Sequence, residues 1–147
     1  MKLKKIPLAD FQARLQDCLD FFQNTTIVIE NKNQRIFIVE GTISDKRLSR
    51  VYEVRIEYRG LVRRSPNIYI NNLQTEVALS DIPHLYKRTP KQIQLCLTYP
   101  SYVEYRKEDL FSKNFFLWTI EWLVFFELFE VTKIWYGNGI HPGKKKL

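Results

Sequence analysis

Cysteine and histidine are nearly missing from this chain, with two of each in 147 residues. Cys18 and Cys96 stand 78 positions apart, which excludes a disulfide framework and a four-ligand zinc site. Glycine (5) and proline (6) are also sparse, while apolar residues make up 45% and aromatics 14%. That balance excludes a disordered or low-complexity chain and describes an ordered globular one. No glycine-rich phosphate loop is present. The chain therefore cannot adenylate a carboxylate by itself, and no cofactor is expected. Long apolar runs are missing as well. Residues 115–135 are the one stretch suggestive of a membrane span, but Glu121, Glu127, Glu130 and Lys133 interrupt it. A bilayer needs roughly 20 apolar residues in succession, so this stretch is expected to be a buried helix. The basic start, Met-Lys-Leu-Lys-Lys, leads into no apolar segment, and without a signal peptide the expected compartment is the cytoplasm.

What is present points to one domain over residues 1–147, large enough to bury a core, with residues 143–147 as a flexible basic tail. The net charge of +7 is dispersed in clusters at 2–5, 46–64, 87–91 and 144–146. It suits acidic protein partners, or alternatively nucleic acid. No basic helix or aromatic-glycine stacking motif supports the nucleic-acid reading.

Leu8, Phe11, Leu15, Cys18, Leu19 and Phe22 recur at spacings of three and four, which predicts an amphipathic helix starting near Pro7 and ending near Asn24. Cys18 lies within that apolar stripe and reads as core. Strands are expected at 26–30, 35–43, 52–59 and 67–71, with Asn31-Lys32-Asn33 as a turn. Tyr52, Val54, Ile56 and Tyr58 alternate with Glu53, Arg55, Glu57 and Arg59, giving one buried and one wet face. Short links make these four strands an antiparallel meander. Periodicity fades over 73–114, which is expected as a long functional loop with short pairings at 77–79 and 93–97. Trp118, Trp122, Phe125, Phe126, Phe129 and Trp135 then predict a thick buried helix capped by Thr119, with Glu121 in its first turn and Gly137 and Gly139 at its end. The fold class is α+β, with helices against an antiparallel sheet.

Residues 82–100 carry the candidate chemistry. Pro83, Pro90 and Pro100 punctuate the stretch, and Cys96 lies twelve residues after His84, between Leu95 and Leu97. Free cysteine is among the most buried residue types, so Cys96 reads as a core residue. Residue type favours that reading; the alternative is a nucleophile on a proline-pinned loop with a polar partner close by.

The element order resembles the ubiquitin-conjugating (UBC) fold, in which a helix and a four-stranded meander precede a cysteine-bearing loop. Four pieces are similar to the stand-alone conjugating-enzyme-like proteins of short type II CBASS anti-phage systems in bacteria. They are Pro83-His84-Leu85-Tyr86; Leu95-Cys96-Leu97-Thr98-Tyr99-Pro100; Trp118-Thr119-Ile120-Glu121-Trp122-Leu123 with Phe126-Glu127; and Trp135-Tyr136-Gly137-Asn138-Gly139-Ile140-His141-Pro142. The resemblance implies that Cys96 carries an acyl group as a thioester and passes it to an amine. The acyl group would be the C-terminal carboxyl of a cGAS-like nucleotidyltransferase and the amine would belong to an acceptor protein; with no nucleotide loop in this chain, either a separate activating enzyme primes the carboxyl or the substrate arrives already reactive. His84 is the second catalytic candidate, with Arg88, His141 and Tyr99 in support.

The chain departs from the family's His-Pro-Asn element. Its order is Pro83-His84, and Arg88 stands eight positions before Cys96 where an asparagine would stabilise the oxyanion. His84, Arg88 or backbone N–H groups are the candidate donors. Lys87, Arg88 and Lys91 would favour the thiolate if they approach it, and Tyr86, Tyr99 and Tyr102 are expected to pack in the loop. Two alternatives are an inactive UBC-like binding module and a basic nucleic-acid-binding protein.

Overall fold

The computed structural model describes residues 4–61, 65–97 and 110–137. Helix α1 spans Leu8–Phe21, and its apolar stripe puts Phe11, Leu15 and Cys18 into the core. Pro7 is its N-cap, not a first-turn residue. Asn24 does not end the helix. It lies in strand β1 (Gln23–Asn31) with a φ of 54°, beside an irregularity in the pairing with β2. Strands β2 (Ile36–Ile43), β3 (Tyr52–Arg59) and β4 (Asn67–Asn71) follow as the expected antiparallel meander.

Register explains the core. Val39 pairs with Ile56 and Ile56 with Ile68, while Val54 pairs with Ile70 and Ile70 with Ile93. Each row stacks apolar side chains on one face, where α1 and the aromatic cluster cover them. The opposite face is polar: Arg55 bridges Glu40 at 3.0 Å and Glu57 at 2.7 Å. Among the described residues, strand β1 forms one edge of the sheet, with Ile27, Val28 and Ile29 all exposed.

Among the described residues the sheet has six strands, not four. Within the expected long loop lie β5 (Leu85–Thr89) and β6 (Gln92–Leu95), and the strand order is β1-β2-β3-β4-β6-β5. Pro90 and Lys91 turn the chain between them. Proline suits such a corner because its φ is fixed, and the Thr89 hydroxyl accepts from the Gln92 N–H at 3.1 Å and donates to the Gln92 carbonyl at 2.9 Å. A register shift between Leu85 and Lys87 breaks the period-two pattern that would have announced the hairpin. Residues 77–79 form no strand; a 3₁₀ turn, Leu79–Asp81, begins there.

Helix α2 spans Phe115–Thr132, starting four residues before the expected cap. Its N-cap is Asn114, whose side-chain oxygen accepts from the Phe115 N–H at 2.6 Å. Thr119 is buried inside the helix and donates back to the Phe115 carbonyl at 2.8 Å. The helix ends at Lys133, with a left-handed φ of 62°, and not at Gly137. Gly137 serves a close approach instead: a Cβ there would meet Trp135 Nε1 at 2.7 Å and Phe125 Cδ2 at 2.8 Å. Only the first two-thirds of α2 is buried deeply, through Phe115, Phe116, Ile120, Trp122, Leu123 and Phe126; Leu128 and Val131 are exposed. Among the described residues, no helix is long and apolar enough to cross a membrane.

Candidate active site at Cys96

Cys96 follows the last residue of β6, so its position is set by the sheet and not by an open loop. Its backbone N–H donates to the His84 carbonyl at 2.9 Å. His84 immediately precedes β5, is 2% exposed and has a φ of 59°. A left-handed histidine is uncommon, and here that conformation points its carbonyl at Cys96. The imidazole stacks obliquely on Trp135, with centroids 5.4 Å apart. Trp135 in turn packs on Trp122 at 5.4 Å. The segment after α2 therefore folds back to hold the histidine.

Leu95 and Leu97 flank the cysteine and line a groove of about 300 Å³ with Ser65, Pro66, Asn67, Tyr86, Gln94 and Phe115. Sheet, hairpin and the start of α2 each contribute one wall.

The thiol's polar neighbour is Tyr86. Expected to pack in a loop, it is instead 55% exposed on β5, in the wall of the groove beside Cys96. Burial of the phenol group, with the Cys96 side chain adding, pushes its pKa up to about 12. Tyr86 thus keeps its proton, and remains a donor, throughout the physiological range. Counting back from the Pro90-Lys91 turn places it opposite Leu95, one residue short of the cysteine; the bulge that shifts it is seen only in the structure.

The other candidates are distributed differently. The Arg88 guanidinium donates to the Leu79 carbonyl at 2.9 Å and to the Ile82 carbonyl, which ties down the segment before His84. The Lys87 ammonium donates to Gln92 Oε1 at 2.9 Å and lies 6.0 Å over the Tyr69 ring. Tyr99, Tyr102, His141 and the basic tail lie outside the described residues. Cys18 sits fully buried in the core, and desolvation, with Asp17 adding, drives its thiol pKa far above the ordinary value. No disulfide forms between the two cysteines. Among the described residues, no cluster of three His, Cys, Asp or Glu side chains could hold a metal ion.

Residues 14–142 match the family model described as Type II CBASS E2 protein. No curated protein matches the chain. The match covers most of the sequence, and the chain belongs to that family, which gives it an E2-like role in CBASS anti-phage systems. An N-terminal helix, an antiparallel sheet and a C-terminal helix are consistent with an E2-like fold.

Proposed function

From that membership we propose that the protein is a cysteine-dependent conjugating enzyme in which Cys96 carries a protein C-terminus as a thioester. The observation that carries this reading is the position of Cys96, fixed by β6 and the His84 carbonyl between two residues that line a groove. In the first step the thiolate attacks an activated carboxyl, the C–S bond forms and the activating group leaves. In the second, an acceptor amine attacks the thioester, the C–N bond forms, sulfur departs with the C–S electron pair and the amine proton passes to water. The carboxyl belongs to a cGAS-like nucleotidyltransferase, its activation comes from a separate enzyme, and the amine is a lysine of an acceptor protein. His84 positions the cysteine through its carbonyl, while Arg88 holds the approach to His84. Tyr99 and His141 remain supporting candidates.

The test is a trapping experiment with the nucleotidyltransferase partner. Wild type forms a thiol-sensitive adduct, Cys96→Ala forms none, and Cys96→Lys gives a hydrolysis-resistant amide. An undiminished adduct on Cys96→Ala overturns the reading.

One observation favours a second reading. Cys96 is 1% exposed, so a protein carboxyl reaches the sulfur only after the cover moves. A binding module of the same fold needs no such movement. Thiol labelling of the native chain separates the two, because a module leaves Cys96 unlabelled.

A further inference from the structure

The UBC-like element that would supply an asparagine donor has none here, since Arg88 stands at that position. A donor nevertheless lies beside the nucleophile, and the hairpin explains how it arrives there. Leu85 pairs with Leu95 and Lys87 with Gln94, so two steps on β5 match one on β6 and Tyr86 is the extra, bulged residue. Such a bulge re-aims a side chain out of strand alternation. The Cys96 N–H bond to the His84 carbonyl, 2.9 Å long, closes the pairing next to it and fixes how far Cys96 sits from the bulge. Tyr86 also shares a groove wall with Leu95 and Leu97, the residues on either side of the cysteine. Burial, with the Cys96 side chain adding, raises the Tyr86 pKa, in keeping with that placement, and half of the residue remains at the surface.

We propose that Tyr86 is a catalytic residue whose hydroxyl donates to the Cys96 sulfur, stabilising the thiolate as nucleophile and again as leaving group. This assignment rests on the conjugation reading above and deepens it. In acyl capture from a thioester donor, the Tyr86 O–H holds the attacking thiolate while the new C–S bond forms, the old C–S bond breaks and the leaving thiolate takes its electron pair. In transfer, the amine nitrogen forms the C–N bond, the C–S bond breaks and its electron pair returns to sulfur. There the Tyr86 O–H meets the developing negative charge. A hydrogen bond to a charged acceptor is about twice as strong as one between neutral groups. The bond therefore favours the transition state over the thioester, in which sulfur is uncharged.

Tyr86→Phe removes only the hydroxyl, at an exposed position where phenylalanine is tolerated; an unchanged melting temperature verifies this. Two measurements follow on the full-length chain. The first is an equilibrium titration of Cys96 by ultraviolet thiolate absorbance, referenced to Cys96→Ala. The Phe variant is expected to titrate about one unit higher. The second charges Cys96 by exchange with a small peptide thioester and follows aminolysis by hydroxylamine. The Phe variant is expected to react about tenfold more slowly. Identical titrations and identical aminolysis rates in the two proteins overturn the assignment. A wild-type chain that shows the Tyr86-dependent titration, yet forms no adduct with any protein carboxyl, upholds the pairing and overturns the conjugation reading instead.

Discussion

The backbone N–H of Cys96 and the carbonyl of His84 are 2.9 Å apart, and a histidine in the left-handed region makes that bond possible. The strain of one residue thus orients the backbone of another, a common arrangement at functional sites.

Replacements of His84 are expected to separate backbone from ring. Asparagine tolerates a positive φ, whereas a β-branched residue does not. His84→Val is expected to be less stable than His84→Asn by about 1–2 kcal/mol in urea unfolding. Both lose the contact with Trp135, so the difference reports the backbone term. Equal stabilities would show that the left-handed conformation is not required.

The start of α2 gives a second expectation. Asn114→Ala removes the side-chain acceptor for the Phe115 N–H and is expected to cost about 1 kcal/mol, most of it recovered by Asn114→Ser. Thr119→Val keeps the shape and drops a hydroxyl that only doubles up on a helical carbonyl, so it costs less than Asn114→Ala. A larger loss at Thr119, measured by chemical denaturation, would place the cap there.

Cys18 links stability to alkaline pH. Burial holds its folded-state pKa far above the ordinary thiol value of 9.0. Below that value both folded and unfolded chains keep the proton, and its contribution is constant. Above it the unfolded thiol ionises first, so stability falls as pH rises, by about 1.4 kcal/mol per unit from this one group. Tyrosines add their own loss at higher pH, and the comparison with Cys18→Ala isolates the thiol. Between about pH 9 and 10, the stability of Cys18→Ala is expected to fall less than that of wild type by about 1 kcal/mol, because the unfolded thiol is only partly ionised at the start of the interval. Parallel profiles would place Cys18 outside the core.

How much of the site was legible depends on where periodicity survives. Tyr52, Val54, Ile56 and Tyr58 announced β3 because one face is buried and the other wet, and residues 67–71 were read as β4 with the observed bounds. The β5–β6 hairpin did not announce itself. Leu85 is the only buried residue of β5, and a bulge at Tyr86 interrupts the alternation, so local pattern gave loop where pairing with β4 gives sheet. Thr119 followed by Glu121 imitated a helix start, but packing of Phe111, Phe115 and Phe116 draws the helix back to Asn114. Tyr86 resembled a packing residue because a side chain's neighbour across a strand pair is not encoded in its own sequence context.

Residues 82–100 held the candidate nucleophile and histidine from composition and proline punctuation alone. The sequence by itself determined that Cys18 is core and that four strands form a meander, and it offered Cys96 either as core or as a nucleophile with a polar partner. Those are local matters of residue type and period. Only the tertiary structure decided which partner that is. Antiparallel pairing brings residues ten apart, Tyr86 and Cys96, to one place, and a single bulged residue sets which side chain meets the sulfur.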